Sequence, residues 1–289
     1  MNSLELAILK TLAYADIFDY PLTLEEINRY LLAPGALQAR APGASKLLAA
    51  GKISQSGKYY FLPHRQKLVD IRKNREQFSL YKLRQARSIA QKLAKLPNVF
   101  GVFVTGALAV ANTSASDDID LLIITRANKL WTTRFLATLY LELMGVRRRP
   151  HTLKAANRIC ANMYLDETAL SLPYAKRNLY TAHEVVQTKP LINKESIYER
   201  FLSANRWVLA YLPNTVISPT VHRPLPTVHS SRLLEQIAYQ LQYAYMRRKM
   251  TRETITPHSA FFHPRATSSE VLKKYGARLK LFQNPKSKI

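Results

Sequence analysis

The sequence holds one cysteine, Cys160, among 289 residues. A single thiol excludes a disulfide framework and any zinc cluster built on paired cysteines. Acidic residues are also scarce: 19 Asp and Glu stand against 43 Lys and Arg, a formal charge of +24. That imbalance points to polyanionic partners, with a basic proteome and no specific partner as the alternative. Long uncharged apolar runs are missing too. The most apolar stretch, 130–146, is broken by Arg134 and Glu142, too short and too charged to span a bilayer. Residues 1–12 carry Glu5 and Lys10 inside their apolar run and show no small-residue cleavage site. The expectation is a soluble cytoplasmic protein with no membrane partner. No Gly-x-x-x-x-Gly-Lys-Ser/Thr loop and no Gly-x-Ser-x-Gly elbow occur, which excludes a P-loop ATPase and gives no support to Ser-His-Asp chemistry.

Hydrophobic residues make up 47% and aromatics 10% of the chain, enough for a packed core. The length suits about two domains. In residues 1–64, Leu4, Ile8 and Leu12 recur at helical spacing. Thr23 and Glu26 can form a capping box for a second helix, with Ile27 and Leu31 on its inner face. A third helix spans Pro42 to Gly51, and two short strands turn at Ser56-Gly57. Three helices followed by a hairpin is the order of a winged helix. Residues 65–96 predict one long linking helix with ten basic and two acidic residues, Asp70 and Glu76. It reads either as a solvated connector or as a phosphate-contacting face. Residues 97–190 predict an α/β unit with strands near 99–105, 119–125 and 158–166. Residues 191–289 predict a mainly helical region with a loose basic tail. In it, Leu233, Ile237, Leu241 and Tyr245 read as a core-facing stripe. His258 and His263 flank Phe261-Phe262 and read as hydrogen-bonding residues rather than metal ligands.

The chemistry concentrates in Val104-Thr105-Gly106-Ala107, a loop, and Asp117-Asp118-Ile119-Asp120. Asp118 and Asp120 stand two apart at the start of a strand, so both carboxylates point to one face. Such a pair repels itself unless a cation lies between the two. Hard oxygen donors with few protein ligands suit Mg²⁺, whose remaining shell comes from water and substrate phosphates. Gly106 lets the backbone approach a phosphate closely. Arg126 follows the acid-bearing strand and is placed to neutralise phosphate. Arg147 to Arg149 read as a solvated run, with a phosphate clamp as the alternative.

These residues resemble the DNA polymerase β superfamily of nucleotidyltransferases: an apolar strand, a Gly-containing turn, a spacer of about ten, then Asp-apolar-Asp. The similarity is closest to bacterial nucleotidyltransferase-domain proteins with a winged-helix front end. It is carried by Thr105 to Ala109 and Asp117 to Thr125, and less sharply by Ala260 to Pro264. The resemblance implies an α/β (α+β) fold with a mixed sheet, an N-terminal winged helix and a C-terminal helical region. It implies Asp118 and Asp120 as catalytic metal ligands for Mg²⁺, with Thr105, Gly106 and Ala107 seating an NTP. Family members usually carry Ser or Gly after the motif glycine, so Ala107 leaves only backbone N–H groups for the phosphate there. A third carboxylate comes from a neighbouring strand in the family. Asp166 is the candidate, on the reading that it shares a face with Asn162 and Tyr164. Asn162 in that position would leave two carboxylates, and Glu184 on the following helix is a further candidate. The implied reaction moves an NMP from an NTP to an acceptor hydroxyl. The alternative is a binding protein for RNA or DNA whose transferase fold is degenerate.

Overall fold

The structure is a computed structural model that describes residues 1–33, 41–149, 155–218, 232–248, 250, 253–262 and 267–283. Residues 284–289, expected to form a basic tail, and His263-Pro264 lie outside them. The architecture is mixed α/β. A small N-terminal unit contains α1 (Ser3–Asp16), β1 (Leu22–Thr23), α2 (Leu24–Arg29), α3 (Ala41–Ala49), β2 (Ser54–Ser56) and β3 (Tyr59–Phe61). The Thr23–Glu26 capping box forms as its sequence predicts, and a second one at Asn2 and Glu5 starts α1. The three strands pair antiparallel in the order β1-β3-β2. Ile8, Leu12, Ile27, Leu31, Leu47 and Leu62 fill the unit's interior.

One long helix follows, α4 (Leu68–Leu93). Four of the basic residues in this stretch are held by internal contacts. Arg65 pairs with Asp16, Arg72 with Glu26, Arg75 with the Asn112 carboxamide, and Lys82 donates to the Ala115 and Asp117 carbonyls. Lys73, Arg84 and Arg87 stay exposed and fall on one face at helical spacing.

The main sheet uses β4 (Val99–Val104), β5 (Ile119–Thr125), β6 (Ile159–Asp166), β7 (Lys189–Asn193), β8 (Thr254–Ile255) and β9 (Ser259–Phe261). Their order is β7-β4-β5-β6-β9-β8, with β5 and β6 parallel and every other pair antiparallel. Between and after these strands lie α5 (Gly106–Ala109), α6 (Leu130–Leu143), α7 (Leu179–Gln187), α8 (Ile197–Ala204), α9 (Arg232–Arg247) and α10 (Thr267–Gln283). One sheet face, with Val102, Val104, Leu121, Ile123 and Tyr164, packs on α4 and α6. The other, with Phe103, Leu122, Ile124, Met163 and Leu165, packs on α7 and α8. Burial on both faces accounts for the unbroken apolar run of β5. No helix among the described residues is long and apolar enough to cross a membrane.

Among the described residues of 191–289 lie α8, α9 and α10, together with the end of β7 and with β8 and β9, which extend the sheet beside β6. One expectation is corrected. The stripe on α9 faces outward, with Leu233, Ile237, Leu241 and Tyr245 at 66%, 47%, 68% and 71% exposed. The packed side of α9 is Glu235, Ala238, Tyr239, Gln242 and Met246, which meets α6. Hydrogen bonds that Glu235 accepts from the N–H groups of Trp131 and Thr132 at the start of α6 decide which side docks, and an apolar count does not register them.

Candidate functional site

β4 ends at Val104, and the chain turns through Thr105 and Gly106 into the short α5. Thr105 N–H donates to the Asp120 carbonyl at 3.1 Å, tying this turn to the start of β5. Gly106 has φ +61°, a conformation that side chains disfavour. A Cβ built on it would lie 3.0 Å from Asp120 Oδ2. Glycine is therefore required both for the turn and for the approach to the carboxylate. Ala107 continues the turn, and its carbonyl accepts the Asn112 N–H at 2.8 Å.

The loop after α5 is held from three sides. Asp117 accepts Ser114 N–H at 2.7 Å and the Thr113 hydroxyl at 3.2 Å, while the Lys82 ammonium grips the loop carbonyls. Of the three consecutive-looking acids, Asp117 is thus a loop cap. Asp118 and Asp120 are left to face the site.

Opposite Asp120 on the parallel neighbour stands Cys160. Ligand atoms of Asp118, Asp120 and Cys160 all lie within 4.8 Å of one another. The pairing between β5 and β6 then shifts: Leu121 faces Ala161, but Leu122 faces Met163. Asn162 is the extra residue, and a bulge of this kind re-aims a side chain. Its amide donates to Asp120 Oδ1 at 2.6 Å, while its buried Oδ1 has no hydrogen-bond partner. From the other side, α7 brings Tyr180 and Glu184, which hydrogen-bond each other; Tyr180 feels the charge of Asp120, and Asp120 feels that of Glu184. The N-terminal unit closes this flank, where Tyr14 of α1 stacks on His183 of α7 at 4.2 Å between ring centroids.

Burial pushes the Asp120 carboxyl up to about 7, aided by the charges of Asp118 and Glu184. Burial likewise raises Glu184 to about 7. The Cys160 thiol is raised by burial and by both aspartates, so it stays protonated. Arg148 answers this negative charge. It donates to Asp118 and reaches Cys160 Sγ at 3.8 Å. The Asp118 and Asp120 carboxylates, with Cys160 Sγ beside them, could hold a metal ion once the thiol gives up its proton.

Two residues expected in the site are elsewhere. Asp166 pairs with Thr125, at the far end of the parallel strands from Asp120 and Cys160. The bulge at Asn162 breaks the period of two, so Asp166 does not share the face of Asp120. Its carboxylate is fully buried and takes the N–H groups of Asn128 and Thr168, the Thr168 hydroxyl and the His258 ring. Arg126 also follows this far end, and its guanidinium lies 5.2 Å over the Phe100 ring. The site instead brings together Asn162, Glu184 and Arg148, all noted in the sequence, with Cys160 and Tyr180. Cys160 could have been found by sliding β6 against β5 until its apolar residues matched. Comparison with protein-family models, with curated proteins and with solved structures found no match to this chain.

Proposed function

We propose that the chain is a nucleotidyltransferase that moves an NMP from an NTP to an acceptor hydroxyl and releases pyrophosphate. The observation that carries this reading is the Gly106 turn set against the Asp120 carboxylate, with Asp118 and Asn162 beside it. Backbone pressed close to paired acids supplies phosphate donors next to a cation site. The resemblance of Gly106-Ala107 and Asp118-Ile119-Asp120 to the polymerase β superfamily supports the same reading.

Asp118, Asp120 and the Asn162 carboxamide would hold Mg²⁺, which when bound neutralises the triphosphate. Gly106 and Ala107 hold the phosphates through backbone N–H groups, the Thr105 N–H being taken by the Asp120 carbonyl. Arg148 leaves Asp118 and turns to the phosphate oxygens, a partner that guanidinium fits well. Glu184 takes the role first assigned to Asp166 and accepts the acceptor's hydroxyl proton, with Tyr180 fixing its rotamer. The acceptor oxygen bonds to the α-phosphorus as the bond to the β-phosphate oxygen breaks, and pyrophosphate leaves. Catalysis then rests on positioning and charge neutralisation.

The test is incubation of the chain with each labelled NTP, Mg²⁺ and total cell RNA, protein and small molecules. One labelled product class, formed with pyrophosphate and lost with chelator, is the expected outcome. Absence of any labelled product with all four NTPs would overturn the reading. The second reading, a nucleic-acid-binding protein, rests on the exposed Lys73, Arg84 and Arg87 face of α4 beside an N-terminal unit with winged-helix element order. It predicts RNA or DNA binding that weakens steeply with salt and shows little sequence preference.

A further inference from the structure

A second concave site lies where β5 and β6 end, about 17 Å along the strands from Asp120 by strand rise and on the opposite face. There, Thr125 and Asp166 stand side by side. Asp166 accepts two backbone N–H groups and a hydroxyl, and its Oδ2 lies 2.8 Å from His258 Nδ1. With Nδ1 held against this carboxylate, Nε2 is the ring atom left for a ligand.

His258 lines a cavity of about 480 Å³ together with Asn128, Trp131, Gln236, Tyr239 and Gln240. The volume is that of a small-molecule site, and the carboxyl ends of parallel strands are where α/β sheets commonly place one. Its chemistry is selective. Gln236 and Gln240 stand one helical turn apart on α9, each with a paired donor and acceptor. Carboxamides of this kind pair with the edge of a purine. Tyr239, half-buried and 5.1 Å between ring centroids from the fully buried Trp131, supplies aromatic surface for a flat ring. His258 Nε2 adds a polar ring atom to the lining.

The charge around the cavity is opposite to that of the whole chain. Glu235, bound to the backbone N–H groups of Trp131 and Thr132, lines it, and Asp166 lies behind His258. A phosphate would meet the Glu235 carboxylate and, among the described lining residues, no lysine or arginine.

We propose that this cavity binds an uncharged purine base or nucleoside and rejects the corresponding nucleotide. It is distinct from the acid pair and does not depend on nucleotidyl transfer. The experiment is titration of adenosine into a Trp207→Phe variant, in which Trp131 is the sole indole, with equilibrium dialysis of labelled adenosine against the wild-type chain as the second readout. Saturable quenching is expected, with AMP binding at least about tenfold more weakly. Gln240→Leu, on the exposed side of α9, and His258→Leu should each weaken adenosine by about tenfold, the loss of one good hydrogen bond. The proposal is overturned if neither readout saturates, if AMP binds as well as adenosine, if a simple sugar competes equally, or if Gln240→Leu binds like its parent.

Discussion

Asp120→Asn should lose Mg²⁺-dependent NTP binding and cut transfer by two orders of magnitude or more, about 3 kcal/mol of transition-state stabilisation. Asp118→Asn should do the same. The metal-free fold should not suffer. Asp120 and Glu184 both carry folded-state pKa values raised to about 7, above the ordinary carboxyl range. A carboxyl raised in this way binds its proton more tightly when folded. The stability it lends is full below pH ~4 and is lost as pH rises toward 7. Metal-free wild-type protein should therefore lose on the order of 3 kcal/mol between pH 5 and 8. Asp120→Asn should flatten that slope and melt higher than wild type at pH 8 without metal. Thermal melts across pH, with chelator and then with Mg²⁺, would show it. A variant that melts lower than wild type at pH 8 in chelator would contradict the electrostatic account of the site.

Arg72→Met should be the most damaging single change to the fold. The guanidinium is 5% exposed and forms two bonds of 2.8 Å to Glu26, one of 3.0 Å to Glu76 and one to the Pro21 carbonyl. It also lies over the Tyr20 ring at 4.2 Å and the Tyr59 ring at 4.8 Å. Tyr20 in turn donates to Glu26 and to the Val110 carbonyl, just past the Gly106 turn. One side chain thus joins the N-terminal unit, α4 and the loop that carries the acids. Burial alone would raise Glu26, but the hydrogen bonds and charge of Arg72 outweigh it and hold that carboxyl below its usual range. Removing the cation strands a part-buried carboxylate and the Pro21 carbonyl, at a cost of about 3 kcal/mol. Urea unfolding should show a loss of that size at pH 7. The loss should shrink as pH falls below ~4, where Glu26 is protonated in the unfolded chain and its depressed pKa no longer favours the fold. Arg72→Met combined with Glu26→Gln should recover part of the stability. A change under about 1 kcal/mol would mean that this network is replaceable.

Local signals in the chain anticipated the local structure well. The Thr23–Glu26 box, the long α4 and the apolar β5 all formed where periodicity and capping chemistry placed them. Asp118 and Asp120 were legible because a strand's period of two is robust over three residues. Over nine residues it was not. One extra residue at Asn162 reversed the facing of β6, which separated Asp166 from the acids and brought Asn162 to them. No sequence pattern marks a bulge at an asparagine. The pairing of β9 with β6 and of β7 with β4 is long-range, and segments of 3 and 5 residues carry too little period to declare themselves strands. The orientation of α9 depends on Glu235 finding the N-terminus of α6 about a hundred residues away in sequence. Glu184 was visible as a candidate only because α7 was, and nothing in the sequence ranked it above Asp166.

Calorimetry tests the central claim most directly. Each NTP is titrated into wild-type chain and into Asp120→Asn, with Mg²⁺ and then with chelator. The account predicts saturable binding of at least one NTP to the wild type in Mg²⁺ alone, and none to Asp120→Asn in either condition. Binding to wild type that is indifferent to chelator, or an Asp120→Asn protein that binds Mg²⁺-NTP as the wild type does, would contradict it.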